Sequence, residues 1–121
     1  MKKILIIDDD KLLNSLLKKR LVKEGFEVIV AENGDKGIKR IKEVMPDLVL
    51  LDITMPVMNG YEVMENMSKD NNIKNIPIIV ISNSGEPVEI ERIKKTKMVK
   101  DWIVKIDFDL TEVVGKIKKY I

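Results

Sequence analysis

The chain has 121 residues, 45% hydrophobic and 35% charged, which describes one soluble globular domain with a single core and no room for two. Its 22 basic and 20 acidic residues leave a net charge of +2, so no strong general attraction to nucleic acid follows. The chain has no cysteine and no histidine, which excludes disulfides, thiolate zinc sites, thiol catalysis, a serine-type triad, a histidine-bound metal and any phosphohistidine of its own.

The first apolar run, Ile4-Leu5-Ile6-Ile7, predicts a strand over Lys3 to Ile7 that ends in Asp8-Asp9-Asp10. Short all-apolar runs of this kind belong to strands buried on both faces of a parallel sheet. A helix is expected over Asp10 to Lys23, with Leu13, Leu16, Leu17 and Leu21 on one face and Gly25 as its stop. Glu27 to Ala31 alternates like an edge strand, Asn33-Gly34 turns the chain, and Asp35 to Val44 reads as a helix ended by Pro46. Asp47 to Leu51 is the third strand, with the unbroken run Leu48-Val49-Leu50-Leu51 leading into Asp52. A helix over Gly60 to Asp70 carries Val63, Met64 and Met67 inward, and a strand over Ile76 to Ile81 ends at Ser82. Glu86 to Lys97 reads as a weaker helix and Lys100 to Val104 as a short strand ending at Lys105. Asp109 caps a last helix, Glu112 completes a capping-box-like start, and Leu110, Val113, Val114 and Ile117 form its buried stripe.

Strand and helix alternate five times, which implies an α/β fold with a parallel sheet covered on both faces. The last helix runs to the terminus, so 1–121 is expected to be one domain with no output domain. No apolar stretch approaches the ~20 residues of a membrane span. The segment behind Met1-Lys2-Lys3 stops at Asp8, too short for a signal peptide. The expectation is a cytoplasmic protein with no membrane partner.

Carboxylates just past buried strands lie at the carboxyl edge of the sheet, where open α/β folds bind ligands. At ~4 Å and an effective dielectric of ~20, each like-charged pair there costs about 4 kcal/mol. A cation should relieve it, and oxygen-only ligands favour magnesium. Four strand ends supply polar groups to this edge: Asp8 and Asp9, Asp52, Ser82, and Lys105.

That set, with Leu-Asp-Ile-Thr-Met-Pro around Asp52 and the later Asn59-Gly60, resembles the receiver domain of two-component response regulators, the single-domain chemotaxis type in particular. The resemblance covers nearly the whole chain. It implies a flavodoxin-like, doubly wound five-stranded sheet in the order 2-1-3-4-5 flanked by five helices. It implies that Asp52 is the phosphoacceptor, and that Asp9, supported by Asp8, holds Mg2+ together with Asp52 and the backbone carbonyl of Thr54. Lys105 would contact the phosphoryl oxygens, and Ser82 would bond the phosphoryl group once attached. Trp102, three residues before the lysine, stands at the family's aromatic switch position. The phosphodonor would be a sensor histidine kinase or a histidine phosphotransfer protein. The chain would be no enzyme beyond phosphorylating and dephosphorylating itself at Asp52. A downstream protein target would be met through the fourth helix, fifth strand and last helix, without DNA binding by the chain alone.

Other readings attach to the same residues. Asp10 reads as an ordinary helix cap, and the basic run Arg92, Lys94, Lys95, Lys97 and Lys100 as a solvated helix face with phosphate binding or partner docking as its alternative. A phosphorylation-independent pseudo-receiver would not need the full set of Asp9, Asp52, Ser82 and Lys105. A haloacid-dehalogenase-like phosphatase would use two aspartates one residue apart after the first strand, but leaves Asp52 unexplained.

The chain also departs from the family. Ile106 follows Lys105 where proline with a cis bond is usual. A cis bond before isoleucine costs ~2.5–4 kcal/mol, so the loop is expected to run trans, which leaves the reach of Lys105 toward Asp52 open. Asn83 replaces a small residue after the hydroxyl, and Met98 and Val99 replace small residues before strand five. The fourth helix and its exit loop are therefore expected to pack differently.

Overall fold

Alternate residues of a strand face opposite sides of its sheet, and that period sorts the apolar runs into two cores. The computed structural model, which describes residues 1–121, has strands β1 (Lys3–Ile7), β2 (Glu27–Ala31), β3 (Leu48–Asp52), β4 (Ile78–Ser82) and β5 (Val99–Val104). They alternate with helices α1 (Lys11–Lys23), α2 (Gly34–Val44), α3 (Gly60–Ser68), α4 (Pro87–Lys94) and α5 (Leu110–Tyr120), with one 3-10 turn at Lys105–Asp107. The sheet is parallel in the order β2-β1-β3-β4-β5, as the resemblance implies. Leu5, Ile7, Val49, Leu51, Ile78 and Val80 pack with α2, α3 and α4. Ile4, Ile6, Leu48, Leu50, Ile79 and Ile81 pack with α1 and α5. Because both faces of β1, β3 and β4 are covered, their runs are apolar throughout. β2 lies at the edge, as its alternation predicts.

Local signals end the elements where expected. Gly25 takes φ +97°, and Phe26 N–H donates to the Leu21 carbonyl while Gly25 N–H donates to that of Val22. This is a Schellman stop, which needs the left-handed glycine. Asp10 lies outside α1 as its cap, accepting from Leu13 N–H at 3.0 Å. Asn59 and Glu62 form a full capping box at α3, whereas at α5 Asp109 caps Thr111 and Glu112 without the reciprocal bond expected of Glu112.

Other expectations need correction. The inner line of α1 is Asn14, Leu17 and Leu21 with Leu13 half-buried; Leu16 is 46% exposed, turned roughly a third of a turn away at 3.6 residues per turn. α3 and α4 are shorter than expected, ending at Ser68 and Lys94. Of α4, only Ile93 is buried, so few apolar contacts extend it. β3 begins at Leu48 and includes Asp52; Asp47 instead accepts from Lys3 N–H with its carboxylate at 2.7 Å. β4 begins at Ile78, after Pro77, whose carbonyl accepts from Val49 N–H. No helix is long and apolar enough to cross a membrane.

Candidate functional site: an acidic cleft at the carboxyl edge of the sheet

β1 and β3 are adjacent and in register, with Ile7 beside Leu51, so the residues that follow, Asp8 and Asp52, come side by side. Both are fully buried, whereas Asp9 is exposed at the rim. One carboxylate oxygen from each of Asp8, Asp9 and Asp52 lies within 4.8 Å of the others. Asp9 also lines an open cleft of about 290 Å3 between the loops after β2 and β3.

Each buried carboxylate is held by the backbone. Asp8 Oδ1 accepts from Asp10 N–H at 2.9 Å, and Asp52 Oδ1 accepts from Thr54 N–H at 3.1 Å. Lys105, at the start of the 3-10 turn, places Nζ 3.4 Å from Asp8 Oδ2 and 3.5 Å from Asp52 Oδ2. These distances exceed the ~2.7–2.9 Å of a tight charge-assisted bond, because one ammonium is shared between two carboxylates. The Lys105–Ile106 peptide is trans, and the lysine reaches Asp52 from it.

Burial pushes the Asp52 carboxyl from its ordinary 3.8 up to about 7, and the charge of Asp8 adds to the rise; Lys105 and the Thr54 N–H oppose it. Burial raises Asp8 as well, against the Asp10 N–H and Lys105. At Lys105 burial disfavours the charge, but Asp8 and Asp52 outweigh it and raise the ammonium above its ordinary value.

The donor set fits a divalent cation. With all three carboxyls ionised, as a bound cation would hold them, three carboxylates against one ammonium leave a charge of −2, and the ligands are oxygen alone, as magnesium requires. Asp8 Oδ2 is buried without an aligned hydrogen bond, although Lys105 lies near enough for attraction. A buried carboxylate oxygen in that condition is costly unless a cation satisfies it.

Ser82, at the end of β4, is 1% exposed. Its hydroxyl donates to the Ser84 carbonyl at 2.9 Å and accepts from Ser84 N–H at 3.1 Å. Trp102 is half-buried at the edge of the core beneath α4, with Lys94 Nζ 5.4 Å from its ring centroid. Asn83 is exposed; Met98 and Val99 are half-buried. The run from Arg92 to Lys100 keeps its cations exposed, but Arg92 is not simply solvated: it stacks on Tyr61 at 3.5 Å from the ring centroid. The phosphatase reading loses its second aspartate, since Asp10 is exposed and occupied as a cap.

Sequence reasoning missed two groups. Asn14, 5% exposed, donates to the Asp8 carbonyl at 2.8 Å; a lone amide on the inner line of a leucine-rich helix was the available signal. The second is Gly60, whose place in the motif and at the helix start carries no sign of how closely it approaches β3. A Cβ there would lie 2.7 Å from the Asp52 carbonyl oxygen and 2.8 Å from Ile53 Cα, so α3 starts directly against the backbone that carries Asp52.

The sequence model of the response regulator receiver domain matches residues 4–118, and the chain belongs to that family. It is 40% identical over 121 residues to the chemotaxis protein CheY of Thermotoga maritima, covering 98% of this chain and 96% of that one. It is 34% identical to the transcriptional regulatory protein CpxR homolog of Haemophilus influenzae, of whose length it spans 49%. Among solved structures, the response regulator TrrA of Thermotoga maritima in complex with Mg2+-BeF is 33% identical and superposes over the whole of both chains with a TM-score of 0.85. The chain is thus a CheY-like response regulator receiver domain of two-component signalling, and its aspartate pocket suits a phosphoacceptor with Mg2+.

Proposed function

We propose that Asp52 is the phosphoacceptor of this receiver, and that it takes its phosphoryl group from a phosphohistidine on a sensor histidine kinase or a histidine phosphotransfer protein. An Asp52 carboxylate oxygen forms the new O–P bond as the donor's N–P bond breaks, and the imidazole nitrogen keeps the bonding pair. The product is an acyl phosphate, a covalent intermediate of nucleophilic catalysis in which the protein is its own substrate. Hydrolysis of that bond returns the carboxylate, so the only turnover is at Asp52 itself.

Such transfers depend on positioning and charge neutralisation. Thr54 N–H fixes one Asp52 oxygen. Lys105 favours the ionised form that attacks, and its ammonium, 3.5 Å from Asp52 Oδ2, would contact the phosphoryl oxygens. Asp8, Asp9, Asp52 and the Thr54 backbone carbonyl would hold Mg2+, which supplies neutralisation of charge on those oxygens. The Mg2+-BeF complex of the similar TrrA supports this. Ser82 donates to the attached phosphoryl group after leaving Ser84, and Trp102 responds to that change.

The receiver domain occupies 1–121 and acts in the cytoplasm. With a net charge of +2, its output is contact with a downstream protein through α4, β5 and α5 and not DNA binding by itself. The observation that carries the reading is a fully buried aspartate at a central strand end, shared between one lysine and two further carboxylates. Incubation with acetyl phosphate and Mg2+ should add one phosphate to the intact mass of the wild type, none without Mg2+, and none to Asp52→Asn. Equal labelling of Asp52→Asn would overturn the assignment.

A further inference from the structure

α4 is the least anchored helix of the fold. It has eight residues, one of them buried, and its cap residue Glu86 makes no side-chain capping bond. It is nevertheless wired to the cleft. The Ser82 hydroxyl holds both polar backbone groups of Ser84, and Ser84 Oγ accepts from Glu86 N–H at 3.1 Å. Three hydrogen bonds thus lead from the end of β4 to the cap residue of α4.

A second attachment comes from the other side. Tyr61 follows Gly60, whose close approach to the backbone at Asp52 and Ile53 ties the start of α3 to the acceptor strand. From there the Tyr61 hydroxyl donates to Glu89 Oε1 at 2.9 Å, and the Arg92 guanidinium lies over its ring. Glu89 and Arg92 are three residues apart on α4 and so share one face. One aromatic side chain from the fixed helix is therefore gripped twice by the loose one. Burial and Glu89 push the Tyr61 hydroxyl up to about 12, so it remains a donor across the working range.

We propose that Tyr61, Glu89 and Arg92 form a clamp that holds α4 in the position belonging to the Ser82–Ser84 bonded loop, and so opposes the change that phosphorylation at Asp52 demands. This rests on the reading of Asp52 as phosphoacceptor. To donate to a phosphoryl group, the Ser82 hydroxyl must release the Ser84 carbonyl, which loosens the chain of bonds into Glu86. The clamp and the buried Ile93 then remain to keep α4 where it was. A ligand at Asp52 shifts the balance only by its differential affinity for the two arrangements, and linkage is reciprocal. Weakening the clamp therefore tightens binding at a site it does not touch.

Two measurements decide it. Titration with beryllofluoride and Mg2+, a phosphoryl mimic, should give Tyr61→Phe and Glu89→Ala each about 3- to 10-fold tighter binding than wild type. The double variant should be no tighter than the better single, because both remove the same bond. Equal affinities, or additive gains, would overturn the clamp. Hydrogen exchange without any ligand should show α4 amides exchanging several-fold faster in Tyr61→Phe while α1 and α5 are unchanged; unchanged α4 exchange would also overturn it. Binding of the mimic by Asp52→Asn as tightly as by wild type would instead remove the phosphoacceptor reading, and the exchange result would still decide whether Tyr61 holds α4.

Discussion

Asp52 is stabilised in place by Thr54 N–H and Lys105 and destabilised by burial beside Asp8, and the balance sets a pH dependence. Its folded-state value of about 7 lies above its ordinary 3.8. A carboxyl raised in this way contributes stability that is fully present below the unfolded value and is lost as pH rises through the folded one. Without divalent metal, stability should therefore fall between about pH 4 and 8. The ceiling for this one group is about 4 kcal/mol at ~1.4 kcal/mol per tenfold change. Asp52→Asn removes the titrating group and leaves Lys105 to Asp8, so at pH 8 in chelator it should be about 1–3 kcal/mol more stable than wild type, with the gain fading toward pH 5. Denaturation across that range reads the difference. A variant that is destabilised at pH 8 would show that Lys105 outweighs the repulsion between Asp8 and Asp52.

The elements were legible in proportion to how local their causes are. The runs in β1, β3 and β4 are apolar throughout because both faces are covered, and β2 alternates because it is an edge. The stop at Gly25 and the caps at Asp10 and Asp109 depend on residues within a turn of one another. The early end of α4 and the outward turn of Leu16 depend on what the neighbouring elements leave to pack against, which no local pattern carries. The glycines make the same contrast testable. Gly60→Ala would force a Cβ to 2.7 Å from the Asp52 carbonyl oxygen against backbone with nowhere to move, an overpacking that costs about 1–3 kcal/mol. Gly25→Ala meets nothing within 4 Å and bears only its left-handed φ, about 1 kcal/mol. Chemical denaturation should rank Gly60→Ala as the more damaging, and the reverse order would mean that α3 is not seated on the end of β3.

Across the whole molecule, the topology does the assembling. A parallel sheet puts every strand's carboxyl end on one edge, so Asp8, Asp9, Asp52, Ser82 and Lys105 converge although 97 residues separate the first from the last. That convergence was readable because each group directly follows or ends a recognisable strand. Asn14 could be seen as a lone amide among leucines but its partner, the Asp8 carbonyl, could not, and Tyr61 gave no signal, because its partners Glu89 and Arg92 come from another element. Nor did the charge run from Arg92 to Lys100 announce which of its cations is held. The central claim is that this converged edge delivers a phosphoryl group to one carboxylate. Borohydride reduction of the acetyl phosphate-treated protein, followed by peptide mapping, reads it most directly, since an aspartyl phosphate is reduced to homoserine. The account predicts homoserine at position 52 alone, and only when Mg2+ was present. Homoserine at Asp8 or Asp9 in place of Asp52, or labelling that does not need Mg2+, would contradict it.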